Sequence, residues 1–296
     1  MAKREPFKRR KTPGEAVLSA AIHASALISV LLLLGIVGYV FYRGFGSLDR
    51  GFFTTVTSGL KGTTGIAGNI VNTFYMVAIT LLIATPVGVG AAIYLNEYAK
   101  PGRLVNAVEF ATEILSGIPS VIFGLFGYIF FGEVLGLGYS LLNGAFTLSL
   151  MVLPLIVRNT QEALRTVPDS YRSGSLGMGA AKWYMIRTVL LPGAAPGILT
   201  GVILAVGRIV GESAALLFTA GSARTLPRLG RQLSENAERL FGKIFESGGT
   251  LTVELYLQMQ DGRYELAFGI GCVLIILVLI INGGLRLIAG GLRRRQ

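Results

Sequence analysis

Two charged side chains stand inside an otherwise apolar run, four residues apart. They are Arg208 and Glu212, in the stretch GRIVGESAALLFTAG at Gly207–Gly221. A charge at the centre of a bilayer costs at least about 2.5–3.5 kcal/mol on insertion scales, so a cation at that depth needs a reason. The spacing admits two. At i and i+4 on a helix the pair can neutralise itself and hold the helix in register. Alternatively, Arg208 offers charge and a planar forked donor to a passing oxyanion, and Glu212 holds or releases it. Gly193, Gly197, Gly201 and Ala205 precede them at steps of four. That small-residue stripe lets another helix approach closely, and the pattern puts Arg208 and Glu212 on the same packed face.

A second candidate is SGIPSVIFGLFG at Ser116–Gly127. A span broken near its start by glycine and proline is tolerated only where it is buried in protein or lines a wet cavity. Backbone amides freed around Ser116, Pro119 and Ser120 could meet an anion there. A packing kink is the structural alternative.

A third is the polar interruption Arg158–Pro192, with Arg158, Arg165, Arg172, Lys182 and Arg187 against Glu162 and Asp169. Its length and sign between apolar runs read as a structured cytoplasmic segment. Pro168 starts a new helix after Val167, and Asp169 and Ser170 suit its first turn. Gly177 and Gly179 loosen the chain. Trp183, Ile186, Val189 and Leu190 recur at helical spacing, which gives a basic segment an apolar face for a membrane surface or a partner's groove.

The elements that must position these residues follow from composition. Of 296 residues 52% are hydrophobic and 15% charged, and the mean hydropathy is +0.63. A soluble domain carries about 25% charged residues, so this is a membrane protein. The net charge of +11 sits in tails and loops beside apolar runs, which fits anionic lipid headgroups and not nucleic acid. The single cysteine, Cys272, excludes an internal disulfide and a multi-cysteine metal site. Six spans are expected, at about 17–42, 70–95, 114–131, 140–157, 193–220 and 266–288. One transmembrane domain, residues 1–296, would then carry a cytoplasmic segment at 158–192 and an outer loop at 222–265. Both basic termini would face the cytoplasm. Pro86 suggests a kink in the second span. In the outer loop, Leu233–Phe245 could form an amphipathic helix, and the alternating Leu251–Leu257 a short strand or re-entrant edge.

The chain has no Gly-x-x-x-x-Gly-Lys-Ser/Thr loop, no His-Glu-x-x-His and no Gly-x-Ser-x-Gly. No catalytic or metal-binding set is expected, and the chain is not expected to be an enzyme. If transport is active, another chain supplies the energy.

Gly179, nine residues, Val189, one residue, then Leu191-Pro192 resembles the cytoplasmic signature of ABC-importer permeases. Ser173-Gly174-Ser175 stand where that family has Glu-Ala-Ala. SGIPSVIFGLFG and GRIVGESAALLFTAG are similar to the phosphate-importer permeases, specifically the A-type of their two permease subunits. There the second stretch usually reads Gly-Glu-Thr-Ala-Pro; here it is Gly211-Glu212-Ser213-Ala214-Ala215. The similarity covers roughly Asn69 to Arg286. It implies an all-α, six-helix, type I ABC-importer permease fold in a bacterial or archaeal cytoplasmic membrane. It implies a substrate pathway at Arg208, Glu212, Ser116, Pro119 and Ser120. It also implies coupling through Arg172, Gly177, Gly179, Ala180, Lys182, Trp183, Leu191 and Pro192.

The implied partners are a second phosphate permease, two copies of an ATPase subunit that uses ATP-Mg, and an extracytoplasmic phosphate-binding protein. This chain itself would hold no cofactor. The alternatives are a permease for another oxyanion of the same superfamily, and an ATP-independent secondary transporter, which broken helices would suit.

Overall fold

The structure, a computed structural model, describes residues 13–58, 63–227 and 233–293. The basic residues at 3–11 and 294–295, and Arg228 and Arg231 of the loop expected at 222–265, lie outside them. Helix α1, Pro13–Gly44, leads into a short α2, Arg50–Thr54, capped by Asp49, whose carboxylate accepts from the Phe52 amide at 2.7 Å. Strands β1, Val56–Ser58, and β2, Thr63–Ile66, pair antiparallel. Their Val, Thr and Ile residues suit a strand, and Thr57 Oγ1 donates to the Gly65 carbonyl at 2.9 Å.

Helix α3, Ala67–Ile93, runs on through Pro86 and ends in a wide turn, Tyr94–Tyr98. Next come α4, Arg103–Gly117, and α5, Ser120–Gly127, which widens over Tyr128–Val134. Helix α6 is Leu141–Arg165, followed by α7, Asp169–Gly177, and α8, Lys182–Met185. A wide turn, Ile186–Leu190, carries α8 into α9, Leu191–Gly211, and α10 is Ala214–Thr219. Helices α11, Leu233–Gly242, α12, Leu251–Gln260, and α13, Tyr264–Arg293, close the chain.

Among the described residues, five helical stretches are long and apolar enough to cross a membrane: Val17–Ser47, Ala67–Tyr98, Leu141–Arg165, Lys182–Gly211 and Tyr264–Leu287. The pair α4 and α5 makes a sixth if counted as one.

The centre of the fold is α6, packed between α3 and α9. Leu141, Leu148, Val152 and Ile156 are enclosed there. Polar side chains on α6 turn back onto their own helix: Thr147 Oγ1 donates to the Asn143 carbonyl at 2.9 Å and Ser149 Oγ to the Ala145 carbonyl at 2.7 Å. Small residues set the spacing. A Cβ on Gly88 of α3 would stand 2.7 Å from Ile156 Cγ2, and one on Gly197 of α9 would stand 2.5 Å from Ala163 Cβ. Helix α1 lies to the side and meets the rest through its last turns, where Tyr39 packs edge-on to Phe268 and the buried Cys272 donates to the Val40 carbonyl.

Four expectations change. The span expected at 114–131 does not run straight. Its first residues belong to α4, and the axis turns by 104° before Ser120. Ile118 and Pro119 are both extended (ψ 131° and 140°), because proline drives the preceding residue out of helical geometry. The helix at 140–157 carries on to Arg165, so the first break after it comes a full two turns later than the charges suggest. The span at 193–220 breaks at Glu212–Ser213. Leu251–Leu257 is helical: Thr250 caps it, and α12 packs on α13 with Leu251, Val253 and Glu254 buried. The apparent two-residue alternation there belongs to a helix buried on several sides, which a strand template cannot tell apart in so short a run.

Candidate functional site

The two motifs meet. Helices α5 and α10 pack side by side and run in the same direction: a Cβ on Gly124 would stand 2.9 Å from Ala215 Cα, and one on Gly127 would stand 2.8 Å from Thr219 Cγ2. Both helices begin just after a break in a longer apolar run, at Pro119 and at Glu212–Ser213. Glycines at 124 and 127 are what allow this approach. At the breaks, Pro119 is exposed and its carbonyl accepts from the Ile122 amide at 3.0 Å. Ser120 is half-buried at the start of α5. Ser116 is exposed, and its hydroxyl donates to the Glu113 carbonyl at 2.7 Å.

Arg208 and Glu212 do not pair. Helix α9 ends at Gly211, and Glu212 is extended (φ −84°, ψ 127°). Its carboxylate accepts from the Ala215 amide at 3.1 Å, so it caps α10, while its carbonyl accepts from Thr252 Oγ1 at 2.8 Å. Arg208 makes no ion pair among the described residues and is exposed. The expectation that it lies on the packed face fails for a geometric reason. Four residues advance a helix by about 400°, so a strict four-step stripe turns by about 40° per step. Gly193, Gly197 and Gly201 do lie against Val167, Ala163 and Asn159 of the α6 side. At the level of Arg208 the contact line has moved on to Ala205 and Ile209, both buried. Arg208 is left about a quarter-turn away, on a face that the described residues leave exposed.

The segment between α6 and α9 is a compact knot. Gly177 and Gly179 do not loosen it. Gly177 ends α7, and Gly179 (φ +85°) closes it. The Gly179 amide donates to the Leu176 carbonyl at 2.9 Å and the Ala180 amide to the Ser175 carbonyl at 3.1 Å, the paired bonds of a glycine-terminated helix. Ala180 is half-buried behind it.

Arg172 does not face outward as a coupling contact should. Its guanidinium donates to the Leu164 and Val167 carbonyls, both at 2.8 Å, and bridges Asp169 at 2.9 Å and Glu97 at 3.2 Å. The Lys182 ammonium donates to the Glu97 carbonyl and lies 4.8 Å over the Tyr98 ring. The apolar face expected from Trp183 to Leu190 divides, because the wide turn Ile186–Leu190 shifts the register. Ile186 and Leu190 are buried with Ile93, Leu164 and Met185 in a second small core. Trp183 stays exposed, together with Tyr171, Met178 and Tyr184. Leu191 is half-buried and Pro192 exposed at the start of α9. The residue that the sequence reading missed is Glu97. Its signal was a lone acid at the end of an apolar run, facing a strongly basic segment further on.

A polar groove of about 410 Å³ lies between α4 and the end of α6, lined by Asn106, Glu109, Glu113, Arg158, Glu162 and Arg165, among others. It sits on the same side of the fold as Leu95, which also lines it.

A family model described as "Binding-protein-dependent transport system inner membrane component" matches residues 84–294. The chain is 37% identical over 262 residues to a "Probable ABC transporter permease protein YqgI" of Bacillus subtilis (strain 168), covering 87% of this chain and 88% of that protein. It is 36% identical to the "Phosphate transport system permease protein PstA" of Haemophilus influenzae, over 74% of this chain and 77% of the relative. It is 30% identical to the protein of the same name from Mycobacterium leprae, over 94% and 89%. In fold it is similar to a chain of a bacterial alginate ABC transporter solved with an alginate-bound periplasmic protein. The TM-score is 0.66 at 16% identity, and the match covers 95% of each chain. It is also similar to a chain of the inward-facing MetNI methionine ABC transporter, with TM-score 0.54 at 21% identity, covering 77% of this chain and 94% of that one.

Proposed function

We propose that this chain, which belongs to the family of binding-protein-dependent transport system inner membrane components, is a permease subunit of an ATP-driven importer of inorganic phosphate. The family implies three kinds of partner: an ATPase, a substrate-binding protein and a second permease. Hydrolysis belongs to the ATPase, not to this chain. The observation that carries the substrate is the likeness, at 30–36% identity over 72–94% of the chain, to relatives named phosphate transport system permease protein PstA.

The geometry supplies residues for the path. A path shared by two permeases must be lined by faces that each chain leaves open, and Arg208 lies on such an exposed face, one turn before the break that starts α10. There it offers a forked, permanently charged donor to a phosphate oxyanion. Ser120 and the backbone around Pro119 lie at the start of α5, which packs on α10. Glu212 fixes the start of α10 and thereby the shape of the break. On the cytoplasmic side, the exposed Tyr171, Met178, Trp183 and Tyr184 form the face that an ATPase would grip, and Gly179 and Ala180 hold α7 in shape behind it. ATP binding would close the ATPase pair, move this face and open the path outward; hydrolysis would reset it. Both termini would then lie in the cytoplasm, and the phosphate-binding protein would dock on the opposite side.

The test is uptake of labelled phosphate at low external phosphate, in cells lacking only this subunit of the importer. Restoring the chain should restore uptake, and removing the ATPase partner should abolish it. Uptake that returns for molybdate or sulfate but not for phosphate would assign the chain to another oxyanion. Uptake by the chain alone in liposomes without ATP would point to a secondary transporter.

A further inference from the structure

The ATPase-facing segment is tied to the transmembrane helices at one carboxylate. Glu97 lies in the wide turn that ends α3, and its side chain is only 6% exposed. A buried carboxylate is costly unless it is paired and hydrogen-bonded. Here Oε1 accepts from Asn96 Nδ2 at 2.7 Å and from Arg172 Nε and Nη2 at 3.3 and 3.2 Å. Arg172 belongs to α7 and also donates to the carbonyls of Leu164, in the last turn of α6, and Val167, just beyond it. Lys182, at the start of α8, donates to the backbone carbonyl of the same Glu97. Four elements therefore meet at one residue: the end of α3, the end of α6, and both helices of the exposed segment. No other acidic side chain among the described residues bridges that segment to a membrane-spanning helix.

We infer that Glu97 is a positioning residue that transmits movement of the α7–α8 segment to α3. The inference rests on the reading of the chain as an ABC-importer permease. A push on the outer face of α7 and α8, at Tyr171 or Trp183, reaches Arg172 and Lys182 directly. Both cations are anchored to Glu97, so the end of α3 must follow. Helix α3 in turn packs closely on α6 at Gly88 and Ile156, and α6 carries α9 with Arg208. The apolar contacts of Ile93 with Met185 and Ile186 hold the two parts together but do not fix their direction. The guanidinium–carboxylate contact does, because its donors are rigid and oriented.

The experiment uses the assembled importer with its ATPase partner. A Cys272→Ala background receives cysteines at the exposed positions Lys100 and Ser173, labelled with spin probes that report the distance between the end of α3 and α7. With Glu97 intact, that distance should be narrow and the same in the nucleotide-free and vanadate-trapped states. In Glu97→Ala it should broaden or shift on trapping, while the ATPase still co-purifies. Solute transported per ATP hydrolysed should then fall by about tenfold. Glu97→Gln, which keeps an acceptor but not the charge, should fall between the two, and it decides the matter if Glu97→Ala does not assemble. An unchanged distance in both states and an unchanged transport ratio in the assembled variants would overturn the inference. Because the probe distance does not depend on the solute carried, failure of the wild-type complex to move phosphate would count against the substrate reading alone.

Discussion

The Glu212 carboxylate accepts from the Ala215 amide at 3.1 Å and makes no ion pair with Arg208, one turn away in sequence. The acid therefore caps a helix, and the cation stays exposed without an ion pair among the described residues. A lost side-chain cap costs about 1 kcal/mol. Glu212→Ala should lower thermal stability by about that much, and Glu212→Gln, which keeps the accepting oxygen, by less than half of it. Melting of the detergent-purified chain checks this. Equal losses for the two variants would mean that the charge matters and not the cap.

The α6–α9 contact depends on the absence of side chains. A Cβ on Gly197 would stand 2.5 Å from Ala163 Cβ, whereas one on Gly207 meets nothing within 4 Å. Gly197→Ala should destabilise by about 1–3 kcal/mol through overpacking. Gly207→Ala should be neutral or stabilising by up to ~1 kcal/mol, as for alanine in place of glycine in a helix. Paired melting curves would show the split, and a tolerant position 197 would contradict the packing.

Gly179 and Gly177 are two residues apart and do opposite things. Gly179 sits at φ +85° with open space around it, so an alanine there is strained by its backbone alone, at about 1–2 kcal/mol. Hydrogen exchange at the 179 and 180 amides should speed up about tenfold in Gly179→Ala. Gly177→Ala, at the last residue of α7 with nothing within 4 Å, should slow it slightly.

On the opposite side of the fold, Glu254 is 1% exposed and paired with Arg224 at 2.7 Å. Arg224→Ala leaves a buried carboxylate without its cation and should cost about 3–5 kcal/mol. Glu235→Ala breaks a half-exposed pair with Arg239 and should cost about 0.3–0.5 kcal/mol. A loss at Arg224 no larger than at Glu235 would show that Glu254 is not enclosed as described.

The sequence read clearly wherever a local rule decides. Apolar length marked the helices, Pro168 marked the start of α7, and the stripe Gly193–Gly197–Gly201 marked the side of α9 that meets α6. It misled where a break or an oblique crossing intervenes. Helical periodicity put Arg208 and Glu212 on one face, but periodicity cannot know that the helix stops at Gly211 or that the contact line drifts around it. Arg172 looked like a surface cation because its partners, Glu97 and the end of α6, lie far off in sequence or are backbone carbonyls. The pairing of α5 with α10 was invisible for the same reason. Each motif was legible alone, yet nothing in either says that Gly124 meets Ala215.

The most direct measurement is ATP-driven uptake of labelled phosphate into proteoliposomes that hold this chain, the second permease and the ATPase, with the phosphate-binding protein supplied. Wild type, Arg208→Lys and Arg208→Ala would be compared after equal assembly is verified. The account predicts ATP-dependent uptake by wild type, a partial rate for Arg208→Lys, and near-complete loss for Arg208→Ala with the subunits still associated. A normal uptake rate in Arg208→Ala would contradict it.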